Sequence, residues 1–381
     1  MKYTLLEKFL IQGLGFVQCI VLARLLTPGD FGLAAMLGVF LGLGGILAES
    51  GLGSAYVVLG GDARRVLKWN MGAACLLYLV LALCAPLIAA WYERPVLREL
   101  TWVMGLTVIL YAASVVRVAA LQRAKRFRML SLANGSSVLA TFLVAVTCAA
   151  CGCGVWSIVA GALASGVVRL VVLCCAGSLT QEEGDFGRLL SFGWKSLVCG
   201  LVGTVHFHAF RLVIGKAFDP SAVGIFHRAQ HWATLPSSVA NEAVGRVALP
   251  SLTDGTGGGG RWLAWNCALV WPALCVLWIW ASEIVTLVIG EQWLDAVPYL
   301  RIMILGALFA PLANVAETCL KARERADLVL LAEVIKKPVQ IAALVVGAFF
   351  GMTGLCWAVV AGEATSAAVN GLMVVRGGSR E

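Results

Sequence analysis

The sequence predicts an all-α polytopic membrane protein of about twelve transmembrane helices, arranged as two repeated six-helix lobes. Three observations carry this. Hydrophobic residues make up 60% of the 381 and charged residues 13%, with a mean hydropathy of +0.89, well above the roughly 45–50% apolar content of soluble domains. Apolar stretches of about 18–25 residues, each long enough to cross about 30 Å of hydrocarbon, alternate with short clusters of proline, glycine and charge. Motifs of the first half also return in the second at a nearly constant offset.

The hairpin ARLLTPGDFGLAAMLGVFLGLGGILAESGLG, from Ala23 to Gly53, sets the pattern. One apolar helix ends near Arg24, Pro28-Gly29 reverses the chain, and a second helix runs from Phe31 to about Glu49. The same reading places helices at residues 4–24, 31–49, 69–91, 99–120, 131–151, 154–175, 190–214, 223–247, 262–289, 298–320, 328–349 and 354–375. No small-residue cleavage pattern follows the first, so it is expected to remain part of the protein.

FDPSAVGIFHRA, beginning at Phe218, puts Pro220 and Gly224 where Pro28 and Gly32 stand, both at an offset of 192 (220 − 28 and 224 − 32). Pro95-Val-Leu-Arg98 returns as Pro298-Tyr-Leu-Arg301, and Val155-Trp-Ser-Ile-Val-Ala-Gly161 as Cys356-Trp-Ala-Val-Val-Ala-Gly362. The longer TDGTGGGG segment at Thr253–Gly260 accounts for the wider late offsets. Six helices thus repeat as six, giving lobes at 1–180 and 181–381. An even number per repeat keeps both copies in one orientation, related by an axis along the membrane normal.

Basic residues set the expected topology. Arg64, Arg65 and Lys68, then Arg123, Lys125, Arg126 and Arg128, then Lys321, Arg323 and Arg325 occupy alternate connections. These loops and both termini are expected to be cytoplasmic. Such scattering accounts for the net charge of +8 and argues against a nucleic-acid partner, which would need a concentrated basic surface. Most of the thirteen cysteines lie in apolar runs as small hydrophobes. GTGGGG lacks the strand and Lys-Ser/Thr of a phosphate loop and reads as a linker. Cys148-Ala-Ala-Cys151-Gly-Cys153 has no histidine or carboxylate beside it. No enzyme activity, cofactor or metal site is expected.

Charges at membrane depth are more informative, because each costs about 2.5–3.5 kcal/mol at a helix centre. Lys336 and Lys337 stand roughly 14 Å into their helix, and Glu363 lies at a similar depth in the next. Glu363 is expected either to neutralise one lysine or to share a hydrated, anion-attracting cavity with them. Arg211, His206 and Arg228 are candidates for the same cavity, whereas Glu242, Glu317, Arg117 and Arg169 sit nearer helix ends, where snorkelling suffices. His206 and His208, two apart, cannot chelate one metal from one helix face.

LARLLTPGDFGLAAM, ESGLGSAYV, SFGWKSLVCGLV, VIGKAFDPSAVGIFHRAQ, GRVALPSL and IGEQWLDAVPYLRIM together resemble the polysaccharide transporter family. These are the O-antigen and exopolysaccharide flippases of the multidrug, oligosaccharidyl-lipid and polysaccharide exporter superfamily. The resemblance spans nearly the whole chain. It implies a bacterial inner-membrane flippase that carries undecaprenyl-diphosphate-linked oligosaccharide by alternating access. It also implies polysaccharide polymerase and glycosyltransferases as partners, and coupling to H⁺ or Na⁺. Three other readings compete: an ion-coupled drug antiporter, which wants an acidic site within a lobe; a membrane glycosyltransferase or polymerase, which wants a large outer loop with paired carboxylates; and a non-transporting scaffold.

Overall fold

The computed structural model describes residues 2–49, 51–177, 185–253, 258–323 and 325–378, with side chains described except at 2–10, 195–196, 199–200, 202–213, 242–251, 253, 326 and 377–378. It forms two compact units, Met1–Ser221 and Ala222–Glu381. The first contains α1 (Lys2–Leu25), α2 (Pro28–Glu49), α3 (Leu52–Leu59), α4 (Ala63–Trp91), α5 (Val96–Arg123), α6 (Phe127–Ala150), α7 (Val155–Cys175) and α8 (Phe186–Ala217). From the unit boundary onward come α9 (Pro220–Thr253), α10 (Gly259–Ile279), α11 (Ala281–Val288), a 3₁₀ turn (Glu291–Ala296), α12 (Val297–Ala307), α13 (Ala310–Ala322), α14 (Ala326–Phe349) and α15 (Gly351–Gly378).

These elements amount to the twelve expected helices, with two of them broken and one short helix added. Eight helical stretches among the described residues are long and apolar enough to span a membrane. The helices start earlier than hydropathy suggests because polar caps, not apolar residues, begin them. Thr27 Oγ1 donates to Asp30 Oδ2 at 2.7 Å and accepts from the Asp30 amide at 3.3 Å, fixing the start of α2 at Pro28. Asp62 accepts from the amides of Arg64 and Arg65 at 2.9 and 3.3 Å, so these arginines lie inside α4. Asp185 caps α8 in the same way.

The breaks have separate causes. Pro311 lacks an amide proton and its ring would strike the carbonyl of Ala307, so Leu308 and Phe309 turn the chain between α12 and α13. The 21 residues of α10 already extend about 31 Å, enough to cross the hydrocarbon. The chain then re-enters helix as the short α11. Gly51, at φ 63°, separates α2 from α3.

Packing follows the logic of a lipid solvent, in which apolar area alone does not drive helices together. On α4 the buried positions include Ala63, Asn70, Ala74, Ala85 and Ala89, whereas Leu76, Leu79, Leu83 and Leu87 point outward. A Cβ at Gly161 of α7 would lie 2.8 Å from the Ala145 Cβ of α6. Gly347 and Gly354 bring α14 and α15 together just as closely. Interhelical hydrogen bonds secure these contacts, with the Asn70 amide donating to the Ala112 carbonyl at 2.9 Å and Asn370 to Ala313 at 3.0 Å. Exposed tryptophans Trp69, nearly two turns into α4, and Trp91, its last residue, stand about 33 Å apart along the helix.

Candidate functional site

Residues 333, 336, 337 and 340 of α14 fall at helical spacings of three, four and seven, so they share one face. Lys336 is 6% exposed, and its Nζ lies 2.6 Å from Glu333 Oε1; Lys337 Nζ lies 3.8 Å from Glu333 Oε2. Gln340 continues the stripe, donating to the Gly362 carbonyl at 3.1 Å and to Ser366 Oγ at 2.9 Å on α15. Glu363, on α15, interacts electrostatically with both lysines. The direct partner of the lysines is therefore Glu333, a residue the sequence reading passed over. Its i, i+3 and i, i+4 spacing to Lys336 and Lys337 was the available signal. The cluster thus sets two acidic side chains against two lysines.

Arg228 lies elsewhere on the same unit. It is 8% exposed, and its guanidinium carbon sits 5.3 Å from the centre of the Trp293 ring, which is fully buried. Asn266 Nδ2 of α10 donates to Asn241 Oδ1 of α9 at 3.0 Å nearby in sequence. The side chains of His206, Arg211 and Glu242 lie outside the described residues, as does most of the TDGTGGGG segment.

A second polar constellation gathers in the first unit, where the turn between α4 and α5 grips the end of α8. Lys216 Nζ bonds Glu93 Oε1 at 2.8 Å and stands 5.7 Å from the Trp91 ring centre. Arg94 pairs with Asp219. The Tyr92 ring packs against Gly215 so closely that a Cβ there would come within 2.7 Å, and burial pushes its phenol up to about 12. Beside them, a Cβ on Gly32 of α2 would collide with the Pro220 carbonyl. The Lys216 amine and the Arg94 charge hold the Glu93 carboxyl below the usual carboxylate range. At the other end of α2, Glu49, Tyr111 and Arg169 line a common cavity. The sequence reading placed Arg169 among the end charges.

Among the described residues the chain is helical throughout its regular structure, with eight membrane-length stretches packed through small residues, which defines a multi-pass membrane protein. The fold is similar to that of a solved lipid II flippase, MurJ in an inward closed conformation, with TM-score 0.78 at 12% identity, covering 97% of this chain and 87% of that one. The sequence profile of the family described as polysaccharide biosynthesis protein matches residues 21–298, and the chain belongs to that family. It is 24% identical over 367 residues to the lipopolysaccharide biosynthesis protein WzxC of Escherichia coli (strain K12), covering 91% of this chain and 74% of that protein. It is 25% identical to the succinoglycan biosynthesis transport protein ExoT of Rhizobium meliloti (strain 1021), over 80% of this chain and 65% of that protein. The polysaccharide transporter resemblance read from the sequence is thereby established, and the chain is a multi-pass protein of the inner membrane.

Proposed function

We propose that this protein flips polyprenyl-diphosphate-linked oligosaccharide across the bacterial inner membrane for the assembly of a cell-surface polysaccharide. The observation that carries the reading is the match to WzxC along 91% of the chain. The physical problem fits: a diphosphate bearing sugars cannot cross about 30 Å of hydrocarbon without a polar path. The protein supplies that path and changes its access, without making or breaking a covalent bond.

In this reading the arginine-rich helix ends and both termini are cytoplasmic, and two six-helix repeats, 1–180 and 181–381, are the products of a duplication. The turn between α4 and α5, holding Lys216 and Asp219, is then an extracytoplasmic closure that opens for release. Lys336, Lys337, Arg228, Arg211 and His206 are the proposed substrate contacts. Because Glu333 already pairs with both lysines, the diphosphate would engage them by displacing that carboxylate, with Glu363 as the remaining acidic neighbour. Coupling to H⁺ or Na⁺ and contact with a polymerase and glycosyltransferases belong to the same proposal.

The test is glycan export in a strain lacking its own flippase, with the lipid-linked intermediate quantified on each membrane face. Restored surface glycan with a falling inner-leaflet pool is the expected result. An inserted, stable chain that leaves the intermediate on the cytoplasmic face across several donor pathways would overturn the reading.

A further inference from the structure

Inside the second unit a cavity of about 540 Å³ lies between α10, α13 and α15, with Leu252 of α9 on its wall. That is the size of a site for an organic molecule. Along α13 the wall runs from Leu312 to Arg323, about 16 Å of helix. This is close to half of the roughly 30 Å hydrocarbon core, the depth of one leaflet. A Cβ on Gly371 of α15, another lining residue, would meet nothing within 4 Å, so the open space reaches the backbone of that helix. Among the described residues Arg323, at the C-terminal end of α13, is the one charged group in an otherwise apolar, small-residue lining.

The basic residues around this end differ in their partners. Lys321 pairs with Glu317 at 2.7 Å, and the Arg325 guanidinium holds both Asp327 oxygens at 3.1 Å. Among the described residues Arg323 has no carboxylate within 4 Å. Its Nη1 donates to the Val374 carbonyl of α15 at 3.5 Å, a long bond that leaves most of its five donors open. Gly258–Gly260 begin α10 at the same cavity, with no side chain capping that helix, so its first amides lack intrahelical partners as well.

An apolar slot one leaflet deep, with an unmatched guanidinium at its end, is complementary to one kind of molecule. A free phosphate or a nucleotide brings no apolar body for the slot. A neutral lipid leaves the guanidinium without a counter-charge. An acyl chain with an anionic headgroup satisfies both, because the chain gives the walls van der Waals contacts and the phosphate accepts from Arg323. We infer that this cavity takes one acyl chain of an anionic phospholipid from the adjoining leaflet, with the lipid phosphate held at Arg323. That leaflet is the cytoplasmic one in the topology proposed above, and nothing else in the inference rests on that reading.

The test uses the full chain in phosphatidylcholine vesicles containing a small fraction of phosphatidylglycerol with a diazirine in one acyl chain. No glycan substrate is present, so a failure of the flippase reading does not affect it. After illumination the cross-linked residues are read by mass spectrometry, with a phosphatidylcholine probe bearing the same chain for comparison. The anionic probe should mark residues 312–323 and 367–374 more strongly than the neutral one. Arg323→Gln should cut that capture about fivefold, whereas Arg323→Lys, which keeps the charge, should retain it. Gly371→Leu, which fills the open space, should remove capture there by either probe. Labelling of the outward Leu83 and Leu87 on α4 should stay unchanged in every variant, which shows that the protein is folded and inserted. Equal capture of the two probes in the wild type, or anionic capture that survives Arg323→Gln, would overturn the inference. So would displacement of the probe by a polyprenyl phosphate present in lower amount, which would assign the cavity to the tail of a carried lipid.

Discussion

Lys336 is held by Glu333 at 2.6 Å while almost fully buried, and Glu333 serves Lys337 as well. Removing one member of a buried pair leaves the other charge uncompensated and costs more than the pair contributes. Glu333→Gln should therefore lower the detergent-solubilised protein's stability by about 1–3 kcal/mol, below the value for a fully enclosed pair because Glu333 is partly open. The melting temperature reads this. Replacing both Lys336 and Lys337 by Gln removes the cations together. It should preserve insertion while abolishing glycan flipping; full transport by that variant would remove them from the substrate path. At this scale depth in the bilayer singled out the lysines and Glu363, which does interact electrostatically with both, whereas Glu333, one helical turn from Lys336, drew no reading from the sequence. Arg169 sits near a helix end, as read from the sequence, and only the fold brings Glu49 to the same cavity.

The hairpin turns of helices α2 and α9 were legible because proline and a neighbouring acidic residue state a helix start in local terms. Thr27, Pro28 and Asp30 build one, Asp219 and Pro220 the other. What the one-dimensional pattern could not show is that these turns approach one another, as the contact of Gly32 with the Pro220 carbonyl shows. Gly32→Ala should force α2 away from that turn, lowering the melting temperature and loosening the closure around Lys216; an unchanged melting temperature and unchanged protease resistance would count against the contact. The Glu93–Lys216 bond has a defined pH response. Because the folded carboxyl is held below its ordinary value, the bond's contribution is present above the usual carboxylate range. It is lost only as pH falls through that lowered value. Mild acidification to about pH 5 should thus leave the closure intact. The melting temperature should therefore drop on Glu93→Gln by the same amount at pH 5 as at pH 7.5; a loss present only at pH 7.5 would show that the bond is already broken at pH 5. The breaks at Trp280 and before Pro311 were missed because a continuous apolar run reads as one helix, although Pro311 stood in the sequence as a warning.

For the whole molecule, composition and the recurrence of Pro28 and Gly32 at Pro220 and Gly224 sufficed to predict a helical membrane protein, and the resemblance to polysaccharide transporters supplied the expected role. The grouping of elements needed three dimensions. The compact units meet at Ser221 and Ala222, so α8, which sequence repetition assigns to the second copy, packs on α2 and α3 of the first. If the proposed duplication holds, α8 belongs to one repeat by sequence and to the other by contact.

The paired tryptophans of α4 have a consequence of another kind. Trp69, nearly two turns into α4, and Trp91, at its end, stand exposed on a helix whose span between them, about 33 Å, is close to the thickness of a hydrocarbon core, and indole rings prefer the boundary between oil and water. The first unit therefore carries its own ruler. It can lean within the membrane, but it cannot ride up or down without dragging an indole out of its layer. Reconstitution in lipids of graded acyl length should give the fastest flipping where the core matches that span, with the rate falling on both sides as the bilayer is made thinner or thicker.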